Sequence, residues 1–257
     1  MPVHHSAQAG FAAQAATYER GRPDYPQAIQ EWLTGHLGLG PNRSVIDLGA
    51  GTGKFTGRLA GTGATVSAVE PVAEMRRQFT KVLPDVPILE GNAEAIPFPD
   101  ASLDAVVCAQ AFHWFATKAA MVEITRVLKP GGALGLVWNA RDVGVDWVAA
   151  VSDIITPYEG DAPRFAKGDW KRQFPADGLS PLDEQTFLHE HRGSPDRVIV
   201  DRILSVSFIG ALEAPERDKV EARLRHLIAT HPALANQPEI AFPYRTCAYR
   251  CVKLPTE

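Results

Sequence analysis

Cysteine is scarce in this chain: Cys108, Cys247 and Cys251 stand alone among 257 residues. Three thiols cannot all pair, and on one strand Cys247 and Cys251 would lie about 13 Å apart at roughly 3.3 Å per residue, too far to bridge. Reduced thiols in a reducing compartment are expected. No run reaches the ~18 apolar residues of a membrane span, and the first thirty residues show no apolar stretch after a basic start. These absences predict a cytoplasmic protein with no membrane partner. No His/Cys cluster has zinc-ligand spacing, and His4 with His5 sits in a polar terminus expected to fray, so no metal site is expected. Neither sign of charge dominates. With 26 basic side chains against 30 acidic ones the net charge is −4, which offers no general attraction to nucleic acid or an anionic bilayer. Repeats and low-complexity segments are missing too. Hydrophobic content of 45% with 21 glycines and 20 prolines excludes collagen, extended disorder and coiled coil.

What is present is an alternation of strand and helix signals. Strand composition recurs at Ser44 to Leu48, Thr65 to Glu70, Pro87 to Leu89, Leu103 to Ala109 and Ala133 to Asn139. These runs are apolar almost throughout, as strands buried on both faces of a parallel sheet must be. Between them, Ala120, Met121, Ile124, Val127 and Leu128 recur at helical steps within Thr117 to Leu128, a segment stopped by Lys129, Pro130, Gly131 and Gly132. After Asn139 the pattern shifts to amphipathic segments, Asp146 to Thr156, Asp196 to Ala211 and Pro215 to Thr230. They read as a helical cap and late sheet elements of the same domain. Ile240 to Leu254 has strand composition and is expected to pair with Gln185 to Arg192 in a closing hairpin.

The most informative stretch is Val45-Ile46-Asp47-Leu48-Gly49-Ala50-Gly51-Thr52-Gly53-Lys54-Phe55-Thr56, a buried strand running into three alternate glycines. Glycine admits positive φ and close approach of a ligand to the backbone. A dinucleotide fingerprint starting at Gly49 needs glycine or alanine where Lys54 stands. A phosphate loop ending in Gly53-Lys54 needs glycine at Leu48 and a hydroxyl residue at Phe55. Both patterns fail by residue.

The acid followed by alternate glycines resembles motif I of class I S-adenosylmethionine-dependent methyltransferases. Glu70, seventeen residues after Gly53 at the end of the next strand, stands where that family places a carboxylate against both ribose hydroxyls. Asp47 would hold the glycine loop or reach the cofactor's methionine amino group. The structural alternative is that Asp47 and Glu70 cap neighbouring helices. Gly91-Asn92-Ala93-Glu94-Ala95-Ile96-Pro97-Phe98 resembles the family's adenine-edge loop, with Asn92 in place of the usual Asp. Leu103 to Gln110 resembles motif IV, and Leu128 to Gly132 the stop before the fifth strand. The resemblance covers residues 44 to 139 and implies a Rossmann-like, doubly wound, seven-stranded, mostly parallel α/β sheet with a closing antiparallel hairpin and helical cap. It divides the chain into an N-terminal lid with the first helices (1–40), a cofactor-binding core (41–140), and cap with sheet-completing elements (141–257). It implies S-adenosyl-L-methionine as cofactor, bound by Asp47, Gly49, Ala50, Gly51, Thr52, Gly53, Glu70, Pro71, Met75, Asn92, Ala93, Glu94 and Gln110.

Tyr18 to Pro26 and Gln110 to Phe115 resemble the subgroup related to trans-aconitate methyltransferases and other small-molecule methyltransferases. Tyr18 and Arg22 would then lie on a lid over the cofactor, with Tyr25 facing the acceptor or stapling the lid to the domain. His113, after the motif IV strand, is the first candidate for a general base. Orienting the acceptor or lid, or plain packing, are its other roles. Trp114, Trp138, Asn139 and Arg141 are acceptor-side candidates on the same sheet edge, as are Trp147 and Ser207 downstream. Ser205 and Ser207 would stand about 200° apart on one helix, so at most one faces a given pocket. The expected partner is a small-molecule acceptor methylated at an oxygen or carboxylate, with nitrogen and carbon acceptors left open, and the expected assembly is a monomer or homodimer. A catalytically silent cofactor-binding module is the alternative.

Overall fold

The computed structural model describes residues 22–255. Seven strands, β1 (Ser44–Leu48), β2 (Thr65–Val69), β3 (Ile88–Leu89), β4 (Leu103–Ala109), β5 (Leu128–Arg141), β6 (Asp183–Gly193) and β7 (Ile240–Val252), form one sheet in the order β3-β2-β1-β4-β5-β7-β6. β1 to β5 pair in parallel, and β7 runs antiparallel between β5 and β6. The mostly parallel sheet with its antiparallel closure is therefore as the sequence predicts. β6 and β7 form the closing antiparallel pair, and residues 194–239 fold between them as part of the cap.

Alternation along the central strands covers both faces. Val45 and Val107 pack with Ile29, Leu33, Phe55 and Leu59 on one side. Ile46, Leu48, Val106 and Cys108 pack on the other with Met121, Ile124 and Val127 of the helix Lys118–Val127. That helix starts where Thr117 accepts the Ala120 backbone N–H at 3.1 Å. A third core joins the helices Asp146–Ile155 and Ala214–Thr230 through Val148, Val151, Val220 and Leu224, and closes on Phe242 and Tyr244 of β7.

Two local expectations are corrected. The Lys129 to Gly132 stop lies inside β5: Gly131 has φ +76° and donates to the Lys253 carbonyl at 2.9 Å, while a Cβ at Gly132 would stand 2.9 Å from the Lys129 carbonyl oxygen. The two glycines bend the strand without ending it, and the register with β4 shifts there. Asp196 to Ala211 is not one helix. It breaks at Ser205 and Val206, where the Ser205 hydroxyl donates to the Arg202 carbonyl at 2.7 Å and Val206 turns extended. The 200° argument for Ser205 and Ser207 falls with that break, and both are buried.

Among the described residues, no helix is long and apolar enough to cross a membrane.

Candidate functional site

Strand order reverses between β1 and β4, and in open α/β sheets ligands bind beyond the carboxyl ends of the strands at such a point. A cavity of about 350 Å³ opens there. The loop after β1 is anchored by the Gly49 and Ala50 N–H groups, which both donate to the Val69 carbonyl at the end of β2. Its three glycines have φ of +77°, +57° and +90°. At Gly49 and Gly53 a Cβ would collide at 2.8 Å with Ala111 and Phe79 respectively, so these two serve close packing. Gly51 differs: a Cβ there would meet nothing within 4 Å, and Gly51 lines the cavity. The loop leaves a cradle open to a ligand at that position.

Two acids bracket the cradle. Asp47 is buried under the loop, accepting from Thr56 Oγ1 through Oδ2 at 2.6 Å, while its buried Oδ1 has no partner. Burial pushes its pKa up to about 7, reinforced by the nearby Glu70 charge and opposed by the Thr56 bond. A solvent-shielded acceptor lining a cavity suits a cationic donor such as a ligand ammonium. Glu70 accepts the Gly51 N–H through Oε2 and the Val72 N–H through Oε1, both at 2.9 Å. Burial raises its pKa, offset by those two bonds and by Arg76. Glu70 therefore holds the loop, as the capping alternative proposes. Each oxygen keeps a second lone pair, so the carboxylate still has capacity for a diol. These features fit an adenosyl amino acid: a diol at Glu70, backbone contact at Gly51, an ammonium at Asp47.

The loop containing Asn92, Ala93 and Glu94 closes one wall. It is fixed by α-helical side chains: Glu123 accepts the Ile96 N–H at 2.9 Å, and Arg126 donates to the Ile96 and Phe98 carbonyls at 3.0 and 2.9 Å. Asn92 Oδ1 accepts the Glu94 N–H at 2.9 Å, so its acceptor also serves the turn of its own loop. Glu94 in turn accepts from Thr117 Oγ1. Gln110, directly after β4, also lines the cavity and sits in the left-handed region at φ +57°, a conformation costly for a non-glycine residue and common where a side chain is aimed at a site.

Residues 22–26 lie over the mouth. Lys54 Nζ donates to the Arg22 carbonyl, Arg58 reaches Asp24 and the Tyr25 carbonyl, and Asn139 Nδ2 donates to the Asp24 carbonyl at 2.9 Å. Tyr25 is buried edge-on against Phe55, with ring centroids 4.7 Å apart, so it staples this segment while also lining the cavity. Tyr18 lies outside the described residues. Of the other expected cofactor residues, Arg22, Asp47, Gly49, Ala50, Gly51, Thr52, Glu70, Pro71, Met75, Asn92, Ala93, Glu94 and Gln110 all line the cavity, and Gly53 alone does not.

The acceptor-side expectations fare differently. Trp114 and Asn139 line the cavity. Trp138 does not: it is 1% exposed, stacked on Phe165 and packed against Trp170. Adjacent strand residues point to opposite faces, so Trp138 and Asn139 cannot share a pocket. Trp147 is buried against Phe242, and Ser207 lies in the cap interior. Arg141 donates from Nε to Ser152 Oγ at 3.1 Å and is held beside the cavity without lining it.

His113 is corrected as a general base. It is not among the lining residues, and its Nδ1 accepts the Trp138 indole N–H at 3.1 Å. Burial, with the charges of Arg164 and Arg22 adding to it, lowers its pKa to about 3, so it is neutral at pH 7 and a poor proton acceptor. The expected result of His113→Ala is a stability loss of about 1–3 kcal/mol from the orphaned indole N–H, seen in chemical denaturation. Activity per folded molecule should show no pH limb near 6.5 that the variant abolishes.

Sequence reasoning missed Lys54, Phe55, Val72, Phe115, Thr117, Pro163 and Arg202 in the lining. Arg202 had a legible signal: it is a lone cation within the apolar run Val198-Ile199-Val200-Asp201-Arg202-Ile203-Leu204.

Comparison with known proteins agrees with this geometry. The sequence model of a methyltransferase domain matches residues 46–136. The chain is 40% identical to an uncharacterized methyltransferase-like protein of Schizosaccharomyces pombe, with 96% of each chain covered. It is likewise 40% identical to an uncharacterized methyltransferase of Mycobacterium tuberculosis, over 93% of this chain and 94% of that one. Among solved structures, one from Anaeromyxobacter dehalogenans, provisionally described as a type II methyltransferase, superposes with a TM-score of 0.64 at 27% identity, covering 91% and 99% of the two chains. The YcgJ protein of Bacillus subtilis shares the fold with a TM-score of 0.59 at 21% identity, covering 90% and 100%.

Proposed function

The chain belongs to the class I S-adenosylmethionine-dependent methyltransferases, and from that premise we propose that it transfers a methyl group to an oxygen nucleophile, hydroxyl or carboxylate, of a small molecule. The observation that carries this reading is one cavity lined both by strand-end residues and by residues further along the chain. Asp47, Gly51 and Glu70 fit the adenosyl amino acid, and Trp114, Asn139, Pro163 and Arg202 line the same cavity and are assigned to the acceptor. When bound, the cofactor supplies a methyl group on a cationic sulfur, which leaves as a neutral thioether as the acceptor oxygen bonds to the methyl carbon.

The protein's task is chiefly alignment, which can supply roughly 7–11 kcal/mol of the barrier. Asp47 holds the ammonium end, Glu70 the ribose end, and the bonds from Lys54, Arg58 and Asn139 keep residues 22–26 closed against water. With His113 neutral and occupied, an acceptor that arrives ionised suits the site best. A carboxylate becomes a methyl ester with no proton to remove, whereas a hydroxyl must shed one.

The test is incubation of the pure protein with methyl-labelled cofactor and a fractionated pool of small acids, alcohols and amines. Label in a base-labile product is expected from ester formation. Binding of the cofactor with no transfer to any fraction contradicts the proposal and favours the silent module.

A further inference from the structure

We infer that the cap side of this cavity is a carboxylate-binding subsite in which Arg202, a buried arginine that lines the cavity and keeps unpartnered donors, anchors the acceptor. This rests on the methyl-transfer reading above and adds the chemical class of the acceptor to it.

Arg202 is 8% exposed and lines the cavity, yet neither its Nε nor its Nη1 has a hydrogen-bond partner, and both are shielded from solvent. A guanidinium has donors only, so a buried one without acceptors is a costly arrangement unless a ligand supplies the oxygens. The break in the chain after Arg202 fixes it there: its carbonyl accepts from the Ser205 hydroxyl, and the Ser205 carbonyl accepts from Arg22 Nη2 at 3.4 Å. Arg22, on the segment over the mouth, thus stands at the same turn and also lines the cavity.

The surroundings are cationic. Arg141 lies near enough to Arg202 for the two to be felt electrostatically: after burial itself, the charge of Arg202 and then that of Arg164 push the Arg141 pKa down to about 9. The offsetting acid, Glu159, is already shared between Arg164 and Lys167. A ligand carboxylate in the cavity would give this guanidinium an acceptor and a countercharge and relieve this repulsion together. The apolar lining residues Trp114 and Pro163 favour a singly charged, planar group over a doubly charged phosphate, whose desolvation costs more.

The cofactor's own carboxylate is the competing occupant, and the experiment separates the two. Calorimetry of the full chain, saturated with S-adenosylhomocysteine, is run against acetate, succinate, benzoate, the neutral succinamide and inorganic phosphate at constant ionic strength. At least one carboxylate is expected to saturate, while succinamide does not bind and phosphate binds more weakly. Arg202→Gln should weaken that carboxylate by at least about thirtyfold while changing S-adenosylhomocysteine affinity by less than about twofold. Arg202→Lys should recover part of the loss. Retained S-adenosylhomocysteine binding shows that each variant is folded. Failure of every carboxylate, stronger binding of phosphate, unchanged carboxylate affinity in Arg202→Gln, or a parallel loss of S-adenosylhomocysteine affinity each overturns the subsite. Failure of wild-type protein to bind S-adenosylhomocysteine at all overturns the methyl-transfer reading instead.

Discussion

Replacing Glu70 with alanine is expected to weaken S-adenosylhomocysteine binding by about 1.5–3 kcal/mol, a loss of roughly ten- to a hundredfold, and to destabilise the free protein by a similar amount. Two separate losses follow from one carboxylate. The Gly51 and Val72 N–H groups lose their charged acceptor, which loosens the glycine loop, and the diol of the ligand loses its partner. Glu70→Gln separates them. Its amide oxygen retains one of the two backbone bonds, so stability should recover partly, while its NH2 faces a donor and affinity should stay low. Titration calorimetry alongside urea denaturation measures both quantities. Wild-type affinity in Glu70→Ala would remove this residue from the ligand and leave it only the loop.

Asp47 is expected to make ligand binding and stability respond to pH in opposite directions. Its folded-state pKa of about 7 lies above the ordinary 3.8 because burial disfavours the carboxylate. Stability contributed by the protonated form is therefore fully present below about pH 4 and is lost as pH rises through 7, an effect on the order of 4 kcal/mol for a three-unit shift. Glu70, also shifted up by burial, acts in the same sense. An ammonium at the unpartnered Oδ1 prefers the ionised form. S-adenosylhomocysteine affinity should therefore strengthen by up to about tenfold per unit as pH rises toward 7, then level off. In Asp47→Asn the amide oxygen can keep the Thr56 bond, which turns the NH2 toward the ligand. That variant should bind weakly and lose the pH slope. An undiminished slope in Asp47→Asn would place the titration elsewhere.

The part of the cavity lining that lies at the strand ends was legible in the sequence because its parts are local. The loop from Asp47 to Gly53, Glu70 at the end of the next strand, and the segment around Asn92 each sit within a few residues of a strand's carboxyl end. A parallel sheet brings those ends to one edge regardless of what happens further along the chain. The cap side of the lining was not legible because it is assembled across long sequence separations. Pro163 and Arg202 meet residues of β4 and β5 only once the cap has folded, and the break at Ser205 that turns Arg202 inward depends on a side-chain bond that apolar periodicity does not register. His113 shows the same limit. Its position after β4 suggested a base, but its pKa is set by burial and then by the charges of Arg164 and Arg22, and its Nδ1 is taken by the indole N–H of Trp138 on the neighbouring strand. For Trp138 the needed information was present, since a residue adjacent to Asn139 on one strand must face the other way.

The central claim is that the bend after β1 and the acid after β2 grip an adenosyl amino acid. Isothermal titration of the pure protein at pH 8 with S-adenosylhomocysteine, and in parallel with NADH and ATP, tests it most directly. The account predicts saturable one-to-one binding of S-adenosylhomocysteine and none of the other two. Saturation by NADH or ATP with no heat from S-adenosylhomocysteine would contradict it.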